Sequence, residues 1–383
     1  MSSLREQHGM QLNPIRKGMN LWPAIQWEAS ADPLDQERLE TALIRLKSIG
    51  VSWVRILAST QSIGSPHSIR PAIQGPDDVH DQRSAEILRR LLDRLNRHEL
   101  QAVVVLGNFW SWSGGFPAYA EWAGRKPFPV IGPNASLFDM ARFFIRAAGV
   151  YSDAEVMKRY HRLLNAILDH VPADHRGILS FQLANEPTPL FNASDLHEWA
   201  EESTKIIRSR APGLPLSLGG IGEGPLPMGT RTGLVALQER CRFDYLTVHI
   251  WPENWGWYDP KRPEKTFERA WKKTRAYLES HGELARRFGT PLLVEELNLA
   301  RDCKSLDPRS PTTWRDRYLQ RVHEELDRLT QRGCPIAGIA YWTWEFDPPH
   351  EPQGWYGIHS TDETTLRVIR EFNSPSAQEL RPR

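Results

Sequence analysis

Two acidic residues follow strand-like apolar runs and have the chemistry of a catalytic pair. Glu186 comes directly after the run at 178–184, and Glu296, next to Glu295, ends the run at 291–296. Hydrolysis of a glycosidic bond needs two carboxyl groups, one as the acid and the other as nucleophile or base. Taken singly, each glutamate is explained equally well by a helix cap or a surface ion pair, so the hypothesis requires that the fold bring them together.

Tryptophan is the second unusual feature of the sequence. The chain has 15 Trp, more than its 13 Phe or its 9 Tyr. Flat aromatic faces bind sugar rings or stack on bases, although tryptophan also fills protein cores. Many of the tryptophans lie at the ends of predicted strands or in the loops beyond them: Trp110, Trp112, Trp122, Trp251, Trp255, Trp257, Trp342, Trp344 and Trp355. This placement favours an aromatic-lined cleft over core packing for several of them.

Eight short apolar runs predict β-strands, at 15–21, 51–57, 101–106, 178–184, 214–218, 244–250, 291–296 and 336–343. Several of these runs lack strict alternation, which is typical of strands covered on both faces. Amphipathic stretches predict helices between most of the strands, at 35–49, 84–97, 154–171, 195–209, 264–288 and 314–332. This order favours an α/β fold of the (β/α)8 TIM-barrel type, with a doubly wound open sheet as the alternative. No linker or repeat divides the sequence, so we expect one domain over residues 1–383.

Three long loops rich in tryptophan follow predicted strands. An insertion at about 110–150 follows the third strand, and the loops 251–263 and 345–357 follow the sixth and the eighth. Barrel enzymes place their sites on the face formed by the carboxyl ends of the strands. On that face strand four would present Glu186 and strand seven would present Glu296, so the sequence predicts one catalytic cleft there.

The charge balance argues against two classes of partner. Lys and Arg number 48 against 47 Asp and Glu, which gives a formal net charge of +1. Proteins that bind nucleic acid or anionic membranes usually carry a basic excess. We therefore expect neither nucleic acid nor a membrane as a partner, and the sequence does not indicate an oligomeric state.

Other motifs give no alternative chemistry. Cys241, Cys303 and Cys334 do not have the number or spacing of a disulfide framework or a zinc site. The glycine-rich segment 219–224 is followed by Pro225 and Pro227, where the helix of a dinucleotide site would begin. We therefore expect no metal and no cofactor. No signal peptide is visible, which predicts a cytoplasmic protein, although a secreted chain trimmed of its leader would show the same pattern.

Five segments, in order along the chain, resemble glycoside hydrolase family 5. They are the segments 53–57, 108–115 with its Gly-Gly pair, 185–187 (Asn-Glu-Pro), 244–257 with its His-Ile-Trp-Pro, and 294–302. The resemblance is greatest to the branch that contains β-mannanases and exo-β-mannosidases. Asn-Glu-Pro alone is moderately specific, whereas the two aromatic loops together are much more so.

The resemblance implies a (β/α)8 barrel and a retaining double displacement. In this mechanism Glu296 attacks the anomeric carbon while Glu186 protonates the leaving oxygen, with the carboxyl groups about 5–5.5 Å apart. Because successive strand residues face opposite ways, we expect Glu296 and not Glu295 in the cleft.

The same resemblance, with the tryptophan pattern, assigns substrate binding to Arg55, Asn108, Trp110, Asn185, His249, Trp251, Trp255 and Trp342. Arg55 would keep Glu296 ionised, and Asn185 would donate to the sugar 2-hydroxyl. Trp342 would be the platform beneath the reacting sugar. Without the resemblance, a structural ion pair for Arg55, a buried core histidine for His249 and barrel packing for Trp342 stay open.

Three positions depart from the family pattern. Leu297-Asn298 stands where an aromatic-glycine pair is usual, Gly107 where Asn is frequent, and Trp251 where many relatives have Tyr. The tyrosine hydroxyl normally donates to the nucleophile, and the indole N–H of Trp251 is the candidate replacement.

The sequence therefore predicts a retaining hydrolase of β-1,4-linked mannosides that needs no cofactor. The substrate would be mannan or manno-oligosaccharide, and the long insertion favours exo-β-mannosidase action slightly over endo-β-mannanase action because it could block one end of the cleft. A β-glucanase or cellulase on the same scaffold is the first alternative. A carbohydrate-binding barrel that has lost activity, marked by Leu297-Asn298, is the second.

Overall fold

Eight parallel strands carry the fold. The structure, a computed structural model, describes residues 15–63, 72–76, 80–129, 131, 135–189, 193–225, 229–345 and 356–373. Its strands are β1 (Arg16–Asn20), β2 (Trp53–Leu57), β3 (Gln101–Val105), β4 (Ile178–Gln182), β5 (Leu216–Ser217), β6 (Leu246–Ile250), β7 (Leu292–Leu297) and β8 (Ile336–Tyr341). They form one sheet in the order β5-β4-β3-β2-β1-β8-β7-β6. This sequential order, with β1 beside β8, confirms the predicted (β/α)8 fold and excludes the doubly wound alternative.

Helices connect the strands. In the described residues they are α1 (Ala24–Ala29), α2 (Pro33–Ser48), α3 (His80–Arg97), α4 (Gly115–Trp122), α5 (Leu137–Ala147), α6 (Ala154–His170), α7 (Ala193–Arg210), α8 (Arg231–Cys241), α9 (Pro263–Phe288), α10 (Thr313–Gln331) and α11 (Glu363–Glu371). The six predicted helices correspond to α2, α3, α6, α7, α9 and α10, while α1, α4, α5, α8 and α11 were missed. None of the helices in the described chain has the length and apolar character needed to cross a bilayer.

The chain divides into two compact units. The first unit comprises Trp22–Leu39 and Arg55–Asp244 and holds β3, β4 and β5. The second unit comprises Glu40–Val54, β1 and the chain from Tyr245 onward, with β6, β7 and β8. Each unit has its own set of buried apolar side chains.

In the first unit, α6 packs its apolar face toward the end of β4. Asp153 begins the helix by accepting hydrogen bonds from the backbone N–H groups of Glu155 and Val156, which is the usual N-cap arrangement. The buried Tyr160 hydroxyl donates to the carbonyl of Leu183 at 2.9 Å. This bond attaches α6 to the turn that leads from β4 into the Asn-Glu-Pro motif.

In the second unit, β8 is fixed by α10 and β1 by α11. The Tyr341 hydroxyl lies 2.8 Å from Nε2 of His323, and burial lowers the pKa of His323 to about 3, so the imidazole is neutral there. Nζ of Lys17 donates to the carbonyls of Ile369 and Arg370, both at 3.1 Å. A cation at the last carbonyls of a helix stabilises that helix end.

Candidate active site

Asn185 is the centre of a buried polar group in the first unit. Its Oδ1 accepts a hydrogen bond from Nη2 of Arg55 at 2.9 Å, and its Nδ2 donates to Oδ1 of Asn108 at 3.2 Å. Arg55 also donates from Nε to Gln182 on β4 at 2.9 Å and lies over the ring of Trp22. The structure thus brings three of the predicted binding residues together and fixes the orientation of the Asn185 amide.

Glu186 is held by a tryptophan from the neighbouring strand end. Nε1 of Trp110 donates to Oε2 of Glu186 at 2.6 Å, and only 6% of Glu186 is exposed. The residue has a φ of +48°, a left-handed conformation that is costly for a side chain with a Cβ. Two backbone contacts hold it there: the N–H of Glu186 donates to Gly219, and Thr188 Oγ1 donates to the Glu186 carbonyl at 3.0 Å.

The insertion after β3 supports Trp110. The sequence predicts a loop there, yet the segment forms α4 and α5, and the second begins at a capping box made by Ser136 and Asp139. Phe143 of α5 stacks on the Trp110 ring with a centroid separation of 5.4 Å and an interplanar angle of 22°. Stacking of this kind restricts the ring, so α5 acts through Trp110 on the position of Glu186.

Glycines allow the backbone to approach this group closely. A Cβ on Gly115 would lie 2.1 Å from the carbonyl oxygen of Asn108, and one on Gly219 would lie 2.1 Å from that of Ala184. Both residues also have positive φ, +55° and +78°, which favours glycine. The glycine-rich segment at 219 therefore packs against the strand that leads to Glu186, which gives its pattern a structural reason.

Gly107, one of the departures from the family pattern, has a steric explanation. A Cβ at this position would lie 3.1 Å from the ring of Tyr160 and 3.4 Å from the carbonyl oxygen of Leu183. A Cβ there would require the Tyr160 ring to move by a few tenths of an ångström, so glycine fits this packing without adjustment.

In the second unit, His249 lies between two glutamates of β7. Its Nδ1 is 3.3 Å from Oε2 of Glu296 and its Nε2 is 3.8 Å from Oε2 of Glu295. A register shift after Val248 places His249 opposite Glu296 in the β6–β7 ladder. The exposed fractions are 0% for His249 and Glu295 and 2% for Glu296. The imidazole thus has one glutamate near each ring nitrogen.

Three aromatic side chains lie together at the ends of β6 and β8. The ring of Trp251 is 5.7 Å from that of Trp342 and 5.0 Å from that of Tyr356. Trp342 is half-buried and Trp251 is buried. Trp255 instead packs on Trp257, at 4.8 Å, and on a tyrosine of α9. Of the three tryptophans assigned to substrate binding in this unit, Trp251 and Trp342 are in ring contact, and Trp255 contacts a different pair of rings.

Asn298 links the elements that carry this aromatic group. Its Nδ2 donates to the carbonyls of Trp342 and Tyr356, both at 2.6 Å. Its Oδ1 accepts from the N–H of Leu299 at 2.9 Å, so the amide is oriented by three backbone groups. The departure Leu297-Asn298 therefore has a defined structural role, which sequence reasoning missed because the partners are distant in the chain.

Sequence reasoning also missed two buried acids and a tyrosine in this region. Glu253 accepts from the N–H of Ala300 at 2.7 Å, and burial raises the pKa of its carboxyl. The Tyr356 hydroxyl donates to Asn254 at 2.8 Å. Burial raises the pKa of Glu345, shortly after β8, to about 8, so it is mostly protonated at neutral pH. Trp355, one of the tryptophans of the predicted cleft, lies outside the described residues.

Replacing Gly115 by alanine tests the close contact between Gly115 and the backbone carbonyl of Asn108. We expect Gly115→Ala to lower the free energy of unfolding by more than about 3 kcal/mol, because the methyl group collides with backbone in a packed region. Gly289→Ala is the matched control, since its φ of +58° is similar but nothing lies within 4 Å. Gly289→Ala should lower the free energy of unfolding by only about 1 kcal/mol. Equal losses in urea unfolding of the two variants would contradict the steric argument.

Asn298→Asp tests the amide link. The change keeps the acceptor for Leu299 but puts a carboxylate oxygen against two carbonyls, so we expect a loss of about 2–4 kcal/mol in unfolding free energy. The near-ultraviolet circular dichroism of the Trp251–Trp342 pair should also change. Asn96→Asp, at an exposed position of α3, is the control and should alter neither measurement. Unchanged stability in Asn298→Asp would mean that the amide does not hold the backbone at Trp342 and Tyr356 in place.

Comparison with known proteins agrees with the predicted family. A family model described as GH family 5 beta-mannosidase-like matches residues 12–379. Mannan endo-1,4-beta-mannosidase 4 of Oryza sativa subsp. japonica is 24% identical over 329 residues, covering 82% of this chain and 66% of the rice enzyme. The chain thus spans just under two thirds of that relative.

Solved structures of a Rhizomucor miehei enzyme are similar over nearly the whole chain. Its glycoside hydrolase family 5 mannosidase is 27% identical, with a TM-score of 0.78 over 93% of this chain and 91% of that one. A variant of that mannosidase in complex with mannosyl-fructose is 26% identical, with a TM-score of 0.79 over 94% and 92%. Since the family model spans nearly all of the sequence, the chain belongs to glycoside hydrolase family 5, in its β-mannosidase-like group.

Proposed function

We propose that this protein hydrolyses β-mannosides with retention of configuration, using Glu296 as nucleophile and Glu186 as acid/base. The carrying observation is that each carboxyl group is buried near the end of a strand of one parallel sheet, beside a ring nitrogen: Trp110 for Glu186 and His249 for Glu296. The carboxyl ends of parallel strands in a barrel lie on one face. Membership of the β-mannosidase-like group supports the choice of sugar.

Asn185 is the residue that we assign to the sugar 2-hydroxyl. Its amide has two N–H groups, of which one donates to Asn108, and its orientation is fixed because Arg55 donates to its oxygen. The second N–H is then presented in a defined direction. The 2-hydroxyl of mannose is axial, so a fixed donor distinguishes it from the equatorial hydroxyl of glucose. Hydrogen bonds to this hydroxyl strengthen in the transition state.

Trp342 is assigned as the platform beneath the reacting sugar, and Trp251 as its support. The two rings meet at 82°, an edge-to-face arrangement that holds the Trp342 ring without covering both of its faces. The Asn298 amide fixes the backbone of Trp342. A rigid platform reduces the entropy lost when the sugar is positioned for attack.

Within this activity we favour exo-action on short manno-oligosaccharides. The insertion after β3 contains the two helices α4 and α5, and α5 packs against Trp110 beside Glu186. An ordered insertion next to the acid/base residue can close one end of a substrate cleft, which is what exo-action requires. The Rhizomucor miehei enzyme, similar over nearly its whole length, is named a mannosidase and supports the choice of mannosides as substrates. Endo-action, named for the rice relative, is the alternative, together with a β-glucanase and a non-catalytic binding barrel.

Trapping the glycosyl-enzyme tests the two catalytic assignments. A dinitrophenyl 2-fluoro-β-mannoside should add one sugar to the protein, and peptide mapping should place it on Glu296. Glu296→Ala should abolish labelling, whereas Glu186→Ala should lower kcat about 100- to 10,000-fold on substrates with poor leaving groups and much less on the dinitrophenyl mannoside. Glu223→Gln, at a half-exposed glutamate paired with Arg231, is the control and should be labelled normally. Labelling at another carboxylate would overturn the nucleophile assignment.

Product analysis on a ladder of manno-oligosaccharides tests sugar and cleavage mode together. We expect mannose as the early product from every chain length, since an exo-enzyme removes terminal residues. Early mannobiose or mannotriose from the longer substrates would establish endo-action instead. Faster turnover of cello-oligosaccharides would favour the β-glucanase, and binding without any turnover would favour the non-catalytic barrel.

A further inference from the structure

Ser113 carries a buried hydroxyl group that the mechanism above does not use. It ends a short 3-10 turn, Ser111–Ser113, between β3 and α4 of the first unit, and only 1% of the residue is exposed. Its Oγ accepts a hydrogen bond of 2.7 Å from Nδ2 of Asn108. Since Asn108 in turn accepts from Asn185, Ser113 is connected through one side chain to the residue assigned to the sugar 2-hydroxyl.

The contacts of Asn108 define which way its amide faces. The backbone N–H of Trp110 donates to Oδ1 of Asn108 at 3.1 Å, and because a backbone N–H can only donate, this contact identifies the amide oxygen. The same oxygen accepts from Nδ2 of Asn185 at 3.2 Å, using its second lone pair. The amide nitrogen is therefore the atom directed at Ser113, whose hydroxyl holds that end of the amide.

Gln61, which follows β2, fixes the turn that carries this hydroxyl. The N–H of Gln61 donates to the carbonyl of Ser113 at 3.0 Å, and Oε1 of Gln61 accepts from the N–H of Gly115 at 2.8 Å. Nε2 of Gln61 donates to Oε1 of Gln74 at 2.6 Å, and both glutamines are 4% exposed. The Ser113 hydroxyl thus lies on backbone that is bonded on both sides, which makes it a fixed acceptor for Asn108.

We propose that Ser113 is a positioning residue that, through Asn108, directs the second N–H of Asn185 at the 2-hydroxyl of the reacting sugar. This inference rests on the proposed role of Asn185. Without the Ser113 hydroxyl, the buried nitrogen of Asn108 loses its acceptor, which is unfavourable enough to make the amide shift. The oxygen that accepts from Asn185 then shifts as well, because it belongs to the same amide.

A substrate that lacks the 2-hydroxyl measures this effect directly. The ratio of kcat/KM for 4-nitrophenyl β-mannoside to kcat/KM for its 2-deoxy analogue reports what the 2-hydroxyl contributes in each enzyme. We expect Ser113→Ala to lower this ratio at least threefold, mainly through kcat for the mannoside, because the 2-hydroxyl contact strengthens in the transition state. A general weakening of the fold would lower both values and leave the ratio unchanged, and that result would overturn the proposal.

Ser111→Ala is the matched control. Ser111 belongs to the same turn and is 3% exposed, but its carbonyl, which accepts from the N–H of Gly114, makes the contact, and the structure gives its side chain no hydrogen bond to the described residues. The control should keep the wild-type ratio. Equal reductions in the two variants would assign the effect to the turn as a whole and would contradict a role for the Ser113 hydroxyl.

A double variant tests whether Ser113 acts through Asn108. Asn108→Ala should itself lower the ratio, and adding Ser113→Ala should lower it no further. Reductions that multiply would overturn the proposal. Ser113→Cys keeps the shape of the side chain with a weaker acceptor, so it should give an intermediate ratio and replaces the alanine variant if that variant does not fold. A wild-type ratio in Ser113→Cys would then equally overturn the proposal.

The wild-type measurements separate this inference from the proposed function. A protein that does not turn over the mannoside, or that treats the mannoside and its 2-deoxy analogue alike, would overturn the assigned role of Asn185 and the role of Ser113 with it. A large wild-type ratio that is unchanged in Ser113→Ala would overturn the role of Ser113 alone.

Discussion

A carboxylate that is buried at the end of a β-strand must have a proton donor beside it, and this requirement applies to the candidate catalytic residue of each unit. Glu186 and Glu296 are 6% and 2% exposed, and each has a ring nitrogen as neighbour, from Trp110 and from His249. The position of an N–H group on an aromatic ring is fixed by the side chains that pack on that ring. Much of the remaining architecture near these residues serves to fix those two rings.

The two units meet this requirement by different means. In the first unit the indole is held by packing: Phe143 of the insertion stacks on Trp110. In the second unit the imidazole lies between two carboxyl groups, with Nδ1 3.3 Å from Glu296 and Nε2 3.8 Å from Glu295. A stacked indole donates one neutral hydrogen bond whatever the pH, whereas an imidazole changes its charge near neutrality.

The sequence predicted the strands well and the support for the site poorly. All eight strands were predicted, and their ends differ from the prediction by a few residues. Most of them are rich in buried apolar residues, although β1 is Arg-Lys-Gly-Met-Asn. The helix α4 was missed because most of its residues, Gly115 to Ala120, are buried and leave no polar face to give a helical period. Contacts such as Phe143 on Trp110, and the register shift beside His249, depend on side chains from separate elements, which no local pattern contains.

The departures from the family pattern are explained by the structure and do not by themselves indicate lost activity. A residue left behind by decay would be expected to have lost its partners, but the Asn298 amide joins the carbonyls of Trp342 and Tyr356. Tyr356 in turn packs on Trp251, the other departure in this unit. Asn298 and Trp251 thus belong to one connected group around the assigned platform, whereas Gly107 lies in the first unit. The retained contacts argue against structural decay around the assigned platform, and turnover of a mannoside is the property that separates a catalytic barrel from a binding one.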